Sequence, residues 1–133
     1  MSRRKAREVA FKVIYQVDQV QAEPKKAFKF MIDEDGLQDK DRAFAWQLIE
    51  GSLDNLPSID AKIAYYSTAW DLNRMSSVDR NIMRIGAYEI LFMEHSLPVI
   101  PIDEAIELAK KYSEDNSASF VNAILDKIKG ERT

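Results

Sequence analysis

Four cations crowd the start of the chain: Arg3, Arg4, Lys5 and Arg7. Guanidinium groups attract phosphate by charge and can grip it with two parallel hydrogen bonds, so this cluster has the chemistry to hold a phosphodiester backbone. Such contacts dominate affinity for nucleic acid and make it sensitive to salt. A solvated, frayed terminus fits the same residues. Phe11 and Tyr15 follow on the same flank, and rings beside arginine can stack unpaired bases; they can equally belong to a core or a protein contact. A second group lies at Asn116, Ser117, Ser119 and Phe120, where a helix is expected to begin. Free backbone N–H groups at a helix start attract anions, and amide and hydroxyl side chains can bond base edges. A plain N-cap is the competing reading. The stretch Ala69 to Arg80 mixes Trp70, Leu72, Arg74 and Asp79, a composition suited to a partner surface, although Trp70 and Leu72 also read as anchors for a loop.

These groups need a scaffold, and the rest of the 133 residues describes one. An apolar fraction of 46% beside 31% charged residues fits one folded domain and is too apolar for disorder. The net charge is −3, unlike a typical nucleic-acid binder. Its distribution matters more. Residues 1–12 hold five Lys or Arg against one Glu, a local +4 that leaves −7 for the rest of the chain. The absence of Cys removes disulfides and thiolate chemistry and is compatible with a cytoplasmic location. No secretory leader and no membrane-spanning run is visible; Ile82 to Met93 is interrupted by Arg84 and Glu89.

Apolar spacings of three and four predict seven helices and no strand. The first runs from Ser2 to about Gln19, with Ala6, Val9, Ala10, Val13, Ile14 and Val17 as its core stripe and Arg4, Arg7, Phe11 and Tyr15 as a second, basic–aromatic face. Pro24 opens a short second helix, and Asp33 to Gly36 reads as a loop. A third helix starts at Asp39 or Lys40, and a fourth runs from about Ser58 to Ala69. Ser76 or Ser77 caps the fifth, in which Val78, Ile82, Ile85, Ile90 and Leu91 leave little polar surface; it belongs in the middle of a bundle, with Gly86 and Ala87 allowing close approach. Pro101 or Ile102 opens the sixth, with Asp103, Glu104 and Glu107 early and Lys110 and Lys111 late. The last starts near Asn116 or Ser117 and ends at Gly130. A break near residues 54–58 divides the chain into helical halves of about 1–55 and 56–133 within one domain.

Nothing in the sequence forms a catalytic constellation. The single histidine, His95, reads as a surface residue, phosphate-loop and zinc-protease signatures are absent, and Gly36 is misplaced for a calcium loop. The chain reads as a non-enzyme with no metal and no cofactor.

Four segments in order resemble the NusB family: Arg3 to Glu8 leading to Tyr15-Gln16, Val78 to Glu89, Pro101 to Tyr112, and Phe120 to Ile128. The resemblance covers nearly the whole chain and is weakest over residues 20–55. It implies an all-α fold of two packed helical subdomains and a role in bacterial transcription antitermination. The implied ligand is the single-stranded boxA element of ribosomal RNA leaders, bound together with NusE, a small-subunit ribosomal protein, within an RNA polymerase complex that includes NusA and NusG. Carried over by position, Arg3, Arg4, Lys5 and Arg7 fall on the family's arginine-rich RNA segment, and Asn116, Ser117, Ser119 and Phe120 on a second RNA contact. Tyr66 and Arg84 fall near RNA, and Tyr15, Arg74 and Asp79 near the NusE surface. A homodimer is compatible with the resemblance. Two rivals remain: an RNA-recognition domain of a ribosomal RNA cytosine methyltransferase, for which no second domain or cysteine nucleophile is visible, and a pure protein adaptor with a solvated basic end.

Overall fold

The computed structural model describes residues 2–67, 75–93 and 97–131. Among them are seven helices and no strand: α1 (Ser2–Val20), α2 (Pro24–Asp35), α3 (Asp39–Asp54), α4 (Leu56–Tyr66), α5 (Ser77–Phe92), α6 (Val99–Tyr112) and α7 (Ser117–Gly130). No helix among the described residues is long and apolar enough to cross a membrane. Trp70, Leu72, Arg74 and His95 lie outside the described residues.

Four boundaries differ from the sequence reading. Asp33–Asp35 are helical rather than looped, because the stop signal is Gly36, which caps α2 at φ +69° and donates its N–H to the Ile32 carbonyl at 2.8 Å. Helix α4 begins at Leu56 instead of Ser58, and α6 at Val99 instead of Pro101. Proline is accepted in a first turn, where the N–H it lacks has no partner in the helix anyway, so Pro57 and Pro101 lie inside their helices rather than at the edge. Helix α4 also stops at Tyr66, short of Ala69. The shift at α6 moves Asp103 and Glu104 out of the first turn, which holds no acid.

Helix α5 occupies the centre, packed against α1, α3, α4, α6 and α7. Its residues from Asp79 to Ile90 are buried except for the half-exposed Arg80. A Cβ on Gly86 would stand 2.8 Å from Leu125 Cδ1 and 3.7 Å from the Ala105 Cβ, so this glycine sets the close approach of α5, α6 and α7. Gly51 does the same on α3: the Tyr88 ring occupies the space its side chain would need, 2.1 Å from the ideal Cβ. Ser76 caps α5 by accepting from the Asp79 N–H at 3.3 Å. The reciprocal half of a capping box is not made, because the Asp79 carboxylate is used elsewhere.

Candidate nucleic-acid interface

Ala6, Val9, Ala10 and Val13 on α1 are fully buried, which fixes the helix's rotation and decides where its cations go. Arg3, Arg4 and Lys5 face solvent; Arg7 does not. Arg7 makes a two-pronged pair with Glu89 of α5, Nε to Oε1 at 2.9 Å and Nη2 to Oε2 at 2.5 Å, with both side chains at most 8% exposed. Arg4, whose side chain is 62% exposed, grips Glu104 of α6 in the same fashion at 3.0 and 2.9 Å. The hydrogen bond from Arg4 holds the Glu104 carboxyl below the ordinary range against the upward push of burial, helped by the charges of Arg4 and Arg7. Arg3 lies over the Phe44 ring, its guanidinium carbon 3.9 Å from the centroid. Lys5 has no ion-pair partner among the described residues. The four cations singled out by sequence therefore divide into one structural anchor, Arg7, and three at the surface.

The expected second face of α1 is corrected accordingly. Phe11 is 4% exposed and packs on Tyr15 and Tyr112, so the core reading of that ring holds. Tyr15 is half-buried and lines a groove of about 500 Å³ with Phe11, Phe30, Met31, Val78 and Tyr112. Phe30 is more than half exposed there. Glu8, lower on the same seam, accepts from the Tyr112 hydroxyl and from Lys111 Nζ at 2.5 Å. Burial raises the Glu8 carboxyl, but those two bonds outweigh it and leave it low.

At the start of α7, Asn116 and Ser119 are exposed and Phe120 is half-buried. Asn116 stands at the N-cap position with φ −83° and ψ −10°, and its side chain makes no cap hydrogen bond, so the plain N-cap reading does not describe it. Ser117 is buried instead, donating to Asp79 Oδ2 at 2.8 Å, while Ser113 donates to Asp79 Oδ1 at 2.6 Å. Asp79 thus fixes the α6–α7 turn and the pitch of α7's first residues. Asn116, Phe120, Met75, Ser76 and Glu114 surround a groove of about 650 Å³.

Tyr66 and Arg84 are committed to intramolecular bonds. Tyr66 donates its hydroxyl to Glu131, which also pairs with Lys62 at 2.7 Å; that bond pushes the phenol up to about 12. Arg84, 7% exposed, pairs with Asp60 through two bonds of 2.8 Å and donates to Asn81 Oδ1 at 3.0 Å. Asp18 completes this cluster, accepting from Arg80 at 2.6 Å and Asn81 at 3.0 Å. Burial alone would raise the Asp18 carboxyl; the two hydrogen bonds and the charges of Arg80 and Arg84 bring it down to about 2. The cluster ties α1, α4 and α5 together. Asp79, expected near a partner surface, is 7% exposed and faces inward.

Sequence reasoning missed Glu89 and Glu104 as partners of the cationic segment. One signal was available: Glu89 stands among the apolar residues of the central helix, and a carboxylate buried there needs a counter-charge. No such signal marks Glu104, which reads as an ordinary surface acid until α1 is laid beside α6.

The sequence pattern described as the NusB family matches residues 4–129. The chain is 62% identical over 132 residues to the transcription antitermination protein NusB of Syntrophomonas wolfei subsp. wolfei, covering 99% of this chain and 98% of that protein. It is 42% identical to the protein of the same description from Bacillus licheniformis, with 98% of each covered. Among solved structures, NusB of T. maritima superposes with a TM-score of 0.91 at 39% identity, over 98% of this chain and 92% of that one. A chain from a crystal structure of antitermination factors NusB and NusE in complex with dsRNA gives a TM-score of 0.90 at 27% identity, over 98% and 97%.

Proposed function

The chain belongs to the NusB family, and from that premise we propose that it is a transcription antitermination factor that binds RNA and a protein partner without catalysing a reaction. The observation that carries the RNA reading is the solvent-facing trio Arg3, Arg4 and Lys5 on a helix locked to the core. Rigid placement lowers the entropic cost of meeting a phosphate chain. The structural neighbour that pairs NusB with NusE and RNA supports the same assignment.

In this reading Arg3, Arg4 and Lys5 take phosphates of the boxA element in a ribosomal RNA leader, and Arg7 holds α1 in place behind them. Asn116, Ser119 and Phe120 meet exposed bases, Asn116 with an amide that no cap bond occupies. Ser117 acts through Asp79 by setting the start of α7. Tyr66 and Arg84 border the RNA while bonded to Glu131 and Asp60. NusE docks on the Tyr15 groove, and the complex joins RNA polymerase with NusA and NusG in the cytoplasm. A partner that extends the RNA surface raises affinity by positive coupling.

The test is transcription by purified RNA polymerase through a terminator downstream of a boxA-bearing leader, with NusA, NusG and NusE supplied. Adding the chain is expected to increase read-through on that leader and not on one with boxA scrambled. Equal read-through on both templates, with and without the chain, would refute the assignment.

A further inference from the structure

Helix α1 forms a ridge between two grooves of opposite character. Toward α6 the walls carry Arg4, Glu8, Glu104, Glu107, Lys110 and Lys111. Each carboxylate there already holds a cation: Glu104 holds Arg4 at 2.9 Å, Glu8 holds Lys111 at 2.5 Å and Glu107 holds Lys110 at 3.6 Å. A phosphate entering this seam meets neutralised charge; Arg4 keeps only its Nη1 outside the pair with Glu104, for a phosphate that approaches from solvent.

Toward α3 the balance is different. A groove of about 680 Å³ runs between α1, α3 and the start of α6, with Arg3, Arg7, Lys40, Phe44, Gln47 and Ile100 on its walls and no acidic residue among the described residues that line it. Arg7 is balanced by Glu89, but Arg3 rests on the Phe44 ring and Lys40 is exposed without an ion pair among the described residues. Gln47 offers an amide beside them. The opposite wall is apolar, formed by Met93 and by Ile100, which is 39% exposed. Free cations on one side and apolar surface on the other match a single-stranded nucleic acid, which presents phosphates along one edge and unstacked base faces along the other.

We infer that the α1–α3 groove is an additional RNA subsite, with Lys40 and Arg3 as phosphate contacts, Gln47 as a polar contact and Ile100 as an apolar wall for a base. This rests on the RNA-binding reading above and extends it to residues of α3 and α6 that the cationic segment alone does not indicate. The phosphate track continues from Arg3 across α3, and the α6 seam contributes no free cation to it.

The experiment is fluorescence anisotropy of a labelled single-stranded RNA carrying boxA, at two salt concentrations, with Lys40→Ala, Ile100→Ser and Lys110→Ala beside the unmodified chain. All three positions are exposed, and circular dichroism confirms folding. Lys40→Ala is expected to weaken binding roughly three- to tenfold and to lower the salt slope by about 0.7, the contribution of one single-strand phosphate contact. Ile100→Ser weakens binding by the same factor at both salts, because an apolar contact releases no counterion. Lys110→Ala leaves both quantities unchanged. Affinity and slope unaltered by Lys40→Ala, or a loss at Lys110 equal to that at Lys40, would overturn the inference while leaving RNA binding intact. A chain that binds no RNA at low salt would remove the functional reading itself, and the subsite with it. A further arm titrates a labelled acidic, phenylalanine-containing peptide; peptide binding abolished by Lys40→Ala, with RNA affinity unchanged, would assign the groove to a protein partner instead.

Discussion

Replacing Arg7 by Ala should damage the fold more than RNA binding alone would explain. Arg7 and Glu89 bury a two-pronged ion pair between α1 and α5, with side chains 8% and 1% exposed. Removing one partner of a buried pair costs about 3–5 kcal/mol, because a desolvated carboxylate loses the guanidinium that faced it. For a chain of 133 residues each kcal/mol moves the melting temperature by roughly 3–5 °C. A drop of about 9–25 °C is expected for Arg7→Ala in a thermal melt followed by circular dichroism. Arg4→Ala breaks a pair of the same geometry whose arginine is 62% exposed, so screening by water limits its cost to about 1 kcal/mol or less. The double variant Arg7→Met, Glu89→Leu, which removes both charges and keeps the volume, should recover most of the loss. A melting temperature for Arg7→Ala within about 3 °C of the unmodified chain would refute the assignment of Arg7 as a structural anchor and return it to the surface cluster.

Four further outcomes are expected. Asp79→Ala should cost about 1–3 kcal/mol in urea unfolding, since Ser113 and Ser117 lose their shared acceptor; no change would show that Asp79 serves only an external partner. Gly51→Ala gains about 1 kcal/mol of helix propensity but forces a Cβ to within 2.1 Å of the Tyr88 ring, so overpacking should leave it net destabilised, and Tyr88→Leu should relieve it. Asp18 has a folded pKa of about 2 against 3.8 for the free group, so its contribution is complete above about pH 4 and is lost as pH falls toward 2; the stability advantage over Asp18→Asn in acid titrations should vanish across that window. Tyr66 should ionise near pH 12 by ultraviolet absorbance, and Glu131→Gln should bring it back toward the ordinary 10.0 by removing the bond that raises it.

The helices were legible because their signals are local. The stripe of α1, the apolar girth of α5, Ser76 as a cap and the acceptance of Leu125 against Gly86 all follow from spacing and residue size. The boundaries at Leu56 and Val99 were not, since proline tolerates several positions of a first turn and sequence alone does not choose among them. The candidate site was legible as residue types but not as roles. Arg4 and Arg7 are equivalent in sequence, and only the register of α1 against α5 and α6 makes one exposed and the other buried. The same holds at α7, where Ser117 and Ser119 stand two residues apart and helical rotation turns one inward to Asp79 and the other to solvent. Lys40 and Gln47 carried no signal at all, because their proximity to Arg3 depends on a contact across some 40 residues of chain.

The most direct test of the central claim is the affinity of the chain for a boxA RNA of about twelve nucleotides and for its scrambled control, measured by anisotropy with and without NusE at two salt concentrations. The expected result is preference for boxA, strengthened by NusE, weakened by added salt and reduced by Arg4→Ala without loss of fold. Equal affinity for the two RNAs in every condition, or an Arg4→Ala variant that binds as the unmodified chain does, would contradict it.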